Sequence, residues 1–203
     1  MIQTKDDLKA FLAADNAWYQ PKSQKRRFLD AFTAAPYYNL KKYLKYLRCY
    51  EYHLNNSKGS RYHTYLGYIY ERKKNRLGNH LGIEIGPNCF GKGLAIWHSG
   101  SIIVNPNVRA GEYCVLRGAN CIGNNGTKDL NPVLGDHVEL GYGAVIIGDV
   151  KIASSTIIGA NAVVNRSIEE AGGTYVGVPA KRVQPKAGPS RSLSSKAQRS
   201  SHG

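Results

Sequence analysis

The sequence predicts a mainly β chain, a parallel β-helix of hexapeptide repeats with an α-helical region at its N-terminal end. From about Gly82 onward, every sixth residue is apolar or small: Phe90, Ile96, Ile102, Val108 and Cys114, then Val138, Ala144, Val150, Thr156 and Ala162. A companion set, Val104, Ala110, Leu116, Ile122, Leu134, Leu140, Ile146, Ile152 and Ile158, keeps the same period on both sides of "GNNGTKDLNP". Before Gly82 the apolar period is helical instead.

Two inward residues in each hexad describe a chain that makes a short flat strand, turns a corner and repeats, so that three hexads close a triangular coil. Successive coils stack about 4.8 Å apart, each covering the open edge of the last. Gly and Asn in "LGYGAV", "IIGDVK" and "IGANAV" suit corners that need open backbone conformations. An antiparallel sandwich would need alternation by two, with turns every ~8 to 12 residues, and the pattern does not fit.

The helical region opens with Thr4 as N-cap before Asp6 and Asp7, followed by Leu8, Phe11 and Leu12. After Pro36, Leu40, Tyr43, Leu44, Leu47 and Tyr50 recur at helical spacing, while Lys41, Lys42, Lys45 and Arg48 fall on other faces. "NNSKGS" breaks this helix and "RYHTYLGYIYERKKNRLG" begins another. The expected organisation is a helical region over 1–81, a β-helix over 82–168, and a C-terminal segment with a flexible basic tail over 169–203.

A formal charge of +14 over 203 residues favours an anionic partner, such as a phosphorylated cosubstrate, an acidic polysaccharide or an anionic membrane surface. The basic, Tyr-rich "KKYLKYLRCYEY" comes with no recognised nucleic-acid motif, so nucleic acid is not expected. Cys49, Cys89, Cys114 and Cys121 lack metal-ligand spacing and read as reduced, mostly buried thiols; no metal is expected. No apolar stretch approaches the ~20 residues that cross a bilayer, and the first residues lack an apolar signal core, so the expected location is the cytoplasm.

"AIWHSGSIIV" sets His98 at the hexad position that Val104, Leu116, Ile122, Leu140 and Ile158 fill, where a core would place an aliphatic side chain. The surrounding "GIEIGPNCFGKGLAIWHSGSIIVNPNVRAGEYCVLRGANCIG", then "PVLGDHVELGYGAVIIGDVKIASSTIIGANAVVNRS" and "GVPAKRV", resemble the serine acetyltransferase branch of the left-handed β-helix acyltransferases. The short basic N-terminal region is more similar to that of members acetylating sugars of surface polysaccharides. This resemblance implies a left-handed coil, acetyl-coenzyme A (acetyl-CoA) as cosubstrate and a homotrimer with active sites between subunits.

The resemblance makes His98 the general base. An alcohol is a poor nucleophile near neutral pH, so a base must take its proton as it attacks the thioester carbonyl; imidazole, which titrates near neutrality, suits that task. The same ring can hand the proton to the leaving thiolate, and no covalent enzyme intermediate is required. Glu84, in "GIEIGP", matches the carboxylate that orients the imidazole, with Glu in place of Asp and one residue fewer before the histidine. Gly141, Gly143, Ala144, Gly159 and Ala160 match the cosubstrate groove, where small residues permit close approach and backbone amides can donate. Lys181, assisted by Arg182, matches a phosphate-binding cation.

Two departures from the serine enzymes bear on the acceptor. Trp97 stands where they carry Asp, and Leu130 and Asn131 stand where they carry an Arg-His pair suited to a substrate carboxylate. Trp97 offers a flat face for a sugar ring, and Asn131 is a second candidate acceptor contact. The expected activity is therefore O-acetylation of a sugar hydroxyl in a surface-polysaccharide precursor. L-serine as acceptor, with Lys128 and Arg117 replacing the missing cations, is the alternative, and a non-catalytic basic scaffold for polyanions is the alternative of another class.

Overall fold

The computed structural model describes residues 1–20, 23–33, 35–126 and 130–183. Helices α1 (Lys5–Ala17), α2 (Gln24–Phe32), α3 (Pro36–Asn55) and α4 (Arg61–Leu81) precede fourteen short strands. Thr4 caps α1 through a reciprocal capping box with Asp7, and Pro36 occupies the first turn of α3, where its missing N–H costs nothing. Gly82 ends α4 at φ 68°, a left-handed conformation that glycine adopts without strain.

The strands form three parallel faces. The first holds β1 (Ile83–Ile85), β3 (Ile102–Val104), β6 (Cys121–Gly123), β9 (Val145–Ile147) and β12 (Val163–Val164). The second holds β4 (Arg109–Ala110), β7 (Val133–Leu134) and β10 (Lys151–Ile152). The third holds β2 (Ala95–Ile96), β5 (Val115–Leu116), β8 (Glu139–Leu140), β11 (Ile157–Ile158) and β13 (Thr174–Val176), with β14 (Lys181–Arg182) antiparallel at its end. From β3 to β12 the chain visits the three faces in rotation, and isolated bridges at Phe90 and Ile168 extend the second face at either end; the fold is the expected left-handed parallel β-helix. Leu116, Leu140 and Ile158 stack in one inward column and Ile122, Ile146 and Val164 in another, all buried.

The hexad phase holds from Ile102 onward and fails before it. Ile96 stacks on Leu116 and Phe90 bridges to Ala110, so both belong to the companion column, not to the column of Ile102. The corner after Ile96 contains five residues, 97–101, where the corresponding corners 117–119 and 141–143 contain three. His98 lies in this enlarged corner and is exposed, so the expectation of a core position for it is wrong. The two extra residues consume the phase shift, because β3 must still start at Ile102 to pair with Ile83.

A parallel coil leaves unpaired backbone groups at its first turn, and the helices cover them on all three faces. Tyr43 Oη accepts from Ile85 N–H at 3.2 Å while Lys74 Nζ donates to Ile85 O at 3.1 Å. The Tyr19 hydroxyl accepts from Ile96 N–H and donates to Ile96 O, both at 2.7 Å. Fully buried Arg48 donates to the carbonyls of Phe90 (3.0 Å) and Gly91 (2.7 Å) and pairs with Asp15 and Glu51. Asp15 in turn accepts from the N–H groups of Gly93 and Leu94, and Glu51 from that of Asn88. Tyr19, Tyr43, Arg48, Asp15, Glu51 and Lys74 thus each find partners where they are buried against the first coil.

Between α3 and α4, His53 Nδ1 lies 3.0 Å from His63 Nδ1, and the His53 ring stacks on Tyr70. Burial first, and the facing His63 second, hold the His53 pKa below the ordinary histidine value. A base whose folded pKa is lowered is neutral in the native state, so the unfolded chain takes up the extra proton. Stability is therefore full above the ordinary histidine pKa of about 6.5 and is lost as pH falls below it. Thermal unfolding at pH 5.5 should occur below that at pH 7.5, and His53→Gln should narrow the gap; an unchanged gap would assign the dependence to other groups.

Candidate active site

The enlarged corner is held from both sides. Tyr19, just beyond α1, grips Ile96 as described, and Gly100 N–H donates to Leu81 O at 2.8 Å at the end of α4. Between these anchors Trp97, His98 and Ser99 are exposed. Removing the Tyr19 hydroxyl leaves two backbone groups of Ile96 without their partner, at about 1–3 kcal/mol for an unsatisfied buried group. Tyr19→Phe should therefore lower the unfolding temperature and loosen the adjacent Trp97–His98 segment, as read by thermal unfolding and by Trp97 fluorescence.

Beneath this corner the next coils continue as a column: Trp97 over Arg117, Gly141, Gly159 and Val176, and His98 over Gly118, Tyr142 and Ala160. The ladder running through it is made by Trp97 N–H to Leu116 O (2.9 Å), Arg117 N–H to Leu140 O (3.0 Å), Gly141 N–H to Ile158 O and Gly159 N–H to Tyr175 O (both 2.7 Å). A side chain at Gly118 would come within 3.2 Å of His98 Cβ and 3.1 Å of Tyr142 Cε2, so the imidazole and the phenol flank a glycine floor. Buried Asn120 braces that floor, accepting from Gly118 N–H at 3.0 Å and donating to Gly141 O at 2.8 Å. The Arg117 guanidinium covers one face of the Trp97 indole at 5.1 Å and pairs with Glu139 at 2.6 Å. Trp97 remains 49% exposed, which leaves apolar ring surface beside His98 for a ligand.

Glu84 is exposed on the outer side of β1, level with Ile103, and no hydrogen bond joins it to His98 among the described residues. Its charge acts on Lys74 and Tyr43.

The candidate groove residues divide. A Cβ on Gly141 would lie 2.6 Å from Ala160 N, and one on Gly159 would lie 2.7 Å from Val176 Cγ1, so both positions require glycine for coil stacking. Gly143 sits at φ 72° at a corner, where an added Cβ would strike Asn161 Oδ1. The amides of Gly141, Gly143, Ala144 and Gly159 are already donated within the coil, and Ala144 is an inward core residue. The expectation that these amides serve a ligand is thereby corrected for four of the five. Ala160, exposed, keeps its N–H outside the ladder among the described residues.

Lys181 and Arg182 are exposed on β14, with Arg182 paired to Glu170. Asn131 is half-buried ahead of β7 on the second face, whereas Trp97 follows β2 on the third. Lys128 and the tail from 184 lie outside the described residues. Burial raises the Cys89 and Cys114 thiols to about 11. Sequence reasoning missed Tyr19, Asn120 and Tyr142; the one available signal was Asn120, an amide at a hexad position otherwise apolar or small.

The fold is a left-handed hexapeptide-repeat coil with an exposed corner histidine. Comparison with known proteins agrees: residues 131–166 match the family described as bacterial transferase hexapeptide (six repeats). A serine acetyltransferase of Synechococcus elongatus is 31% identical over 112 residues, covering 51% of this chain and 46% of the relative. The putative colanic acid biosynthesis acetyltransferase WcaB of Escherichia coli is 33% identical over 92 residues, covering 44% of this chain and 57% of the relative. The chain thus spans about half the length of the curated relatives it matches. Soybean serine acetyltransferase, solved with serine, superposes with a TM-score of 0.67 over 88% of this chain and 70% of its own, at 22% identity, and shares the fold. Over roughly half its length the chain is thus similar in sequence to a serine acetyltransferase and to WcaB, and it shares the fold of the soybean enzyme.

Proposed function

We propose that the protein is an acetyl-CoA-dependent O-acetyltransferase acting on a sugar hydroxyl, with His98 as general base. The observation that carries this reading is the enlarged corner, which takes a histidine out of the core column and exposes it beside an aromatic platform. In this reading the acceptor ring rests on Trp97 and its hydroxyl proton passes to the His98 imidazole as oxygen attacks the thioester carbonyl. The proton then goes from the imidazole to the departing thiolate, so His98 ends as it began.

Acetyl-CoA lies along the small-residue column below, where Gly141 and Gly159 allow close approach and Ala160 N–H is available to donate. Lys181 and Arg182, at the C-terminal end of the coil, take its phosphates. Glu84 serves as a positioning residue for the imidazolium, which requires a side-chain movement towards the corner; Glu84→Gln should then alter the pH profile of turnover more than KM. A homotrimer completes the site at the seam between subunits.

The relatives named as serine acetyltransferases favour a second reading, with L-serine as acceptor. That reading needs a cation for the serine carboxylate, and Arg117 is already neutralised by Glu139. Mass analysis of acceptors after incubation with acetyl-CoA separates the two. An acetyl group gained by a nucleotide-linked or free sugar and not by L-serine supports the sugar reading, and acetylated serine alone overturns it.

A further inference from the structure

The α-helical cap carries a second charged feature beside the corner. Lys42 and Lys45 on α3 and Lys73, Arg76 and His80 on α4 line two adjoining cavities of about 450 Å³ each, which share Lys42 and Tyr46. No carboxylate lines either cavity. Among the described residues none of Lys42, Lys45, Lys73 and Arg76 forms an ion pair, whereas Arg48, Lys92, Arg117 and Arg182 all do. Residues three and four apart on a helix are neighbours, so like charges at 42 and 45 and at 73 and 76 repel one another unless an anion sits among them. Lys73 is placed by the rings of Tyr46 and Tyr70, at 6.0 and 5.2 Å from Nζ. The groove ends at His80, one residue before Leu81, whose carbonyl holds Gly100 only two residues beyond His98.

We propose that this groove binds the diphosphate of a diphosphate-linked saccharide acceptor and thereby delivers its sugar to the Trp97–His98 corner. The inference rests on the acetyltransferase reading and adds to it the chemical class of the acceptor. Several closely spaced, uncompensated cations match a compact multiply charged anion better than a single carboxylate, and the Tyr46 ring offers a wall for whatever the diphosphate carries. The phosphates of acetyl-CoA are assigned to the opposite end of the coil, at Lys181. Both a nucleoside diphosphate-sugar and a prenyl diphosphate-linked sugar present this group.

The test is calorimetric titration of the full chain at fixed ionic strength, without acetyl-CoA, using inorganic pyrophosphate, orthophosphate, uridine diphosphate and a short prenyl diphosphate. Pyrophosphate should bind saturably and tighter than orthophosphate, and the double variant Lys42→Ala, Lys73→Ala should bind it roughly tenfold more weakly, with an unchanged circular dichroism spectrum. His98→Ala should bind it as the wild type does, so that binding persists even where turnover fails. Tighter binding of uridine diphosphate or of the prenyl diphosphate than of pyrophosphate supports the proposal and names the source. Equal affinity in the double variant, competition by CoA, or binding of dextran sulfate with no preference for pyrophosphate would overturn it, the last by showing a general polyanion surface.

Discussion

Replacing His98 with alanine is expected to lower kcat/KM for acetyl transfer by about 10² to 10⁴, the range general-base catalysis contributes, while the unfolding temperature stays that of the wild type. The two halves of this expectation come from the same geometry. His98 is exposed in a corner whose backbone is tied down by Tyr19 at Ile96 and by Leu81 at Gly100, so truncating the imidazole removes no packed contact. Had the ring filled the hexad core column, the substitution would also open a cavity and cost several kcal/mol. Added imidazole should partly restore turnover to the variant, since the vacated corner faces solvent.

The second large effect concerns stability. Arg48→Met strands Asp15 and Glu51 as buried carboxylates without their cation and leaves two carbonyls of the first coil unpartnered. Breaking a buried ion pair from one side costs about 3–5 kcal/mol. For a chain of this size that lowers the unfolding temperature on the order of 10 °C. The exposed pair of Lys9 with Asp6 is the control, because Lys9→Met should leave the unfolding temperature nearly unchanged. An Arg48→Met protein that unfolds with the wild type would show that the coil's first turn does not depend on this network.

The coil was legible because its period is a direct readout of stacking. Each of Val104, Leu116, Leu140 and Ile158 is inward for the same geometric reason, and the insertion between Ile122 and Leu134 keeps the period since it adds one whole hexad. A two-residue corner insertion leaves both sides apolar and shifts the register silently, so the bare period sets Phe90 and Ile96 in the wrong column. His98 looked like a core residue made polar, whereas its exposure comes from that insertion. The cap was half legible: Thr4, Pro36 and the α3 stripe are local signals, but the union of Arg48 with Asp15 and of Tyr19 with Ile96 joins residues 33 and 77 positions apart, and no local pattern announces such pairs. The same holds for Trp97 and Arg117, which meet only because one coil lies over the next.

Thiol release from acetyl-CoA, followed for the wild type and His98→Ala at equal concentration with nucleotide-linked sugars and with L-serine, tests the central claim most directly. Release with a sugar should disappear in the variant and be absent with serine. Undiminished release by His98→Ala would contradict that claim, because the enlarged corner would then hold no catalytic base.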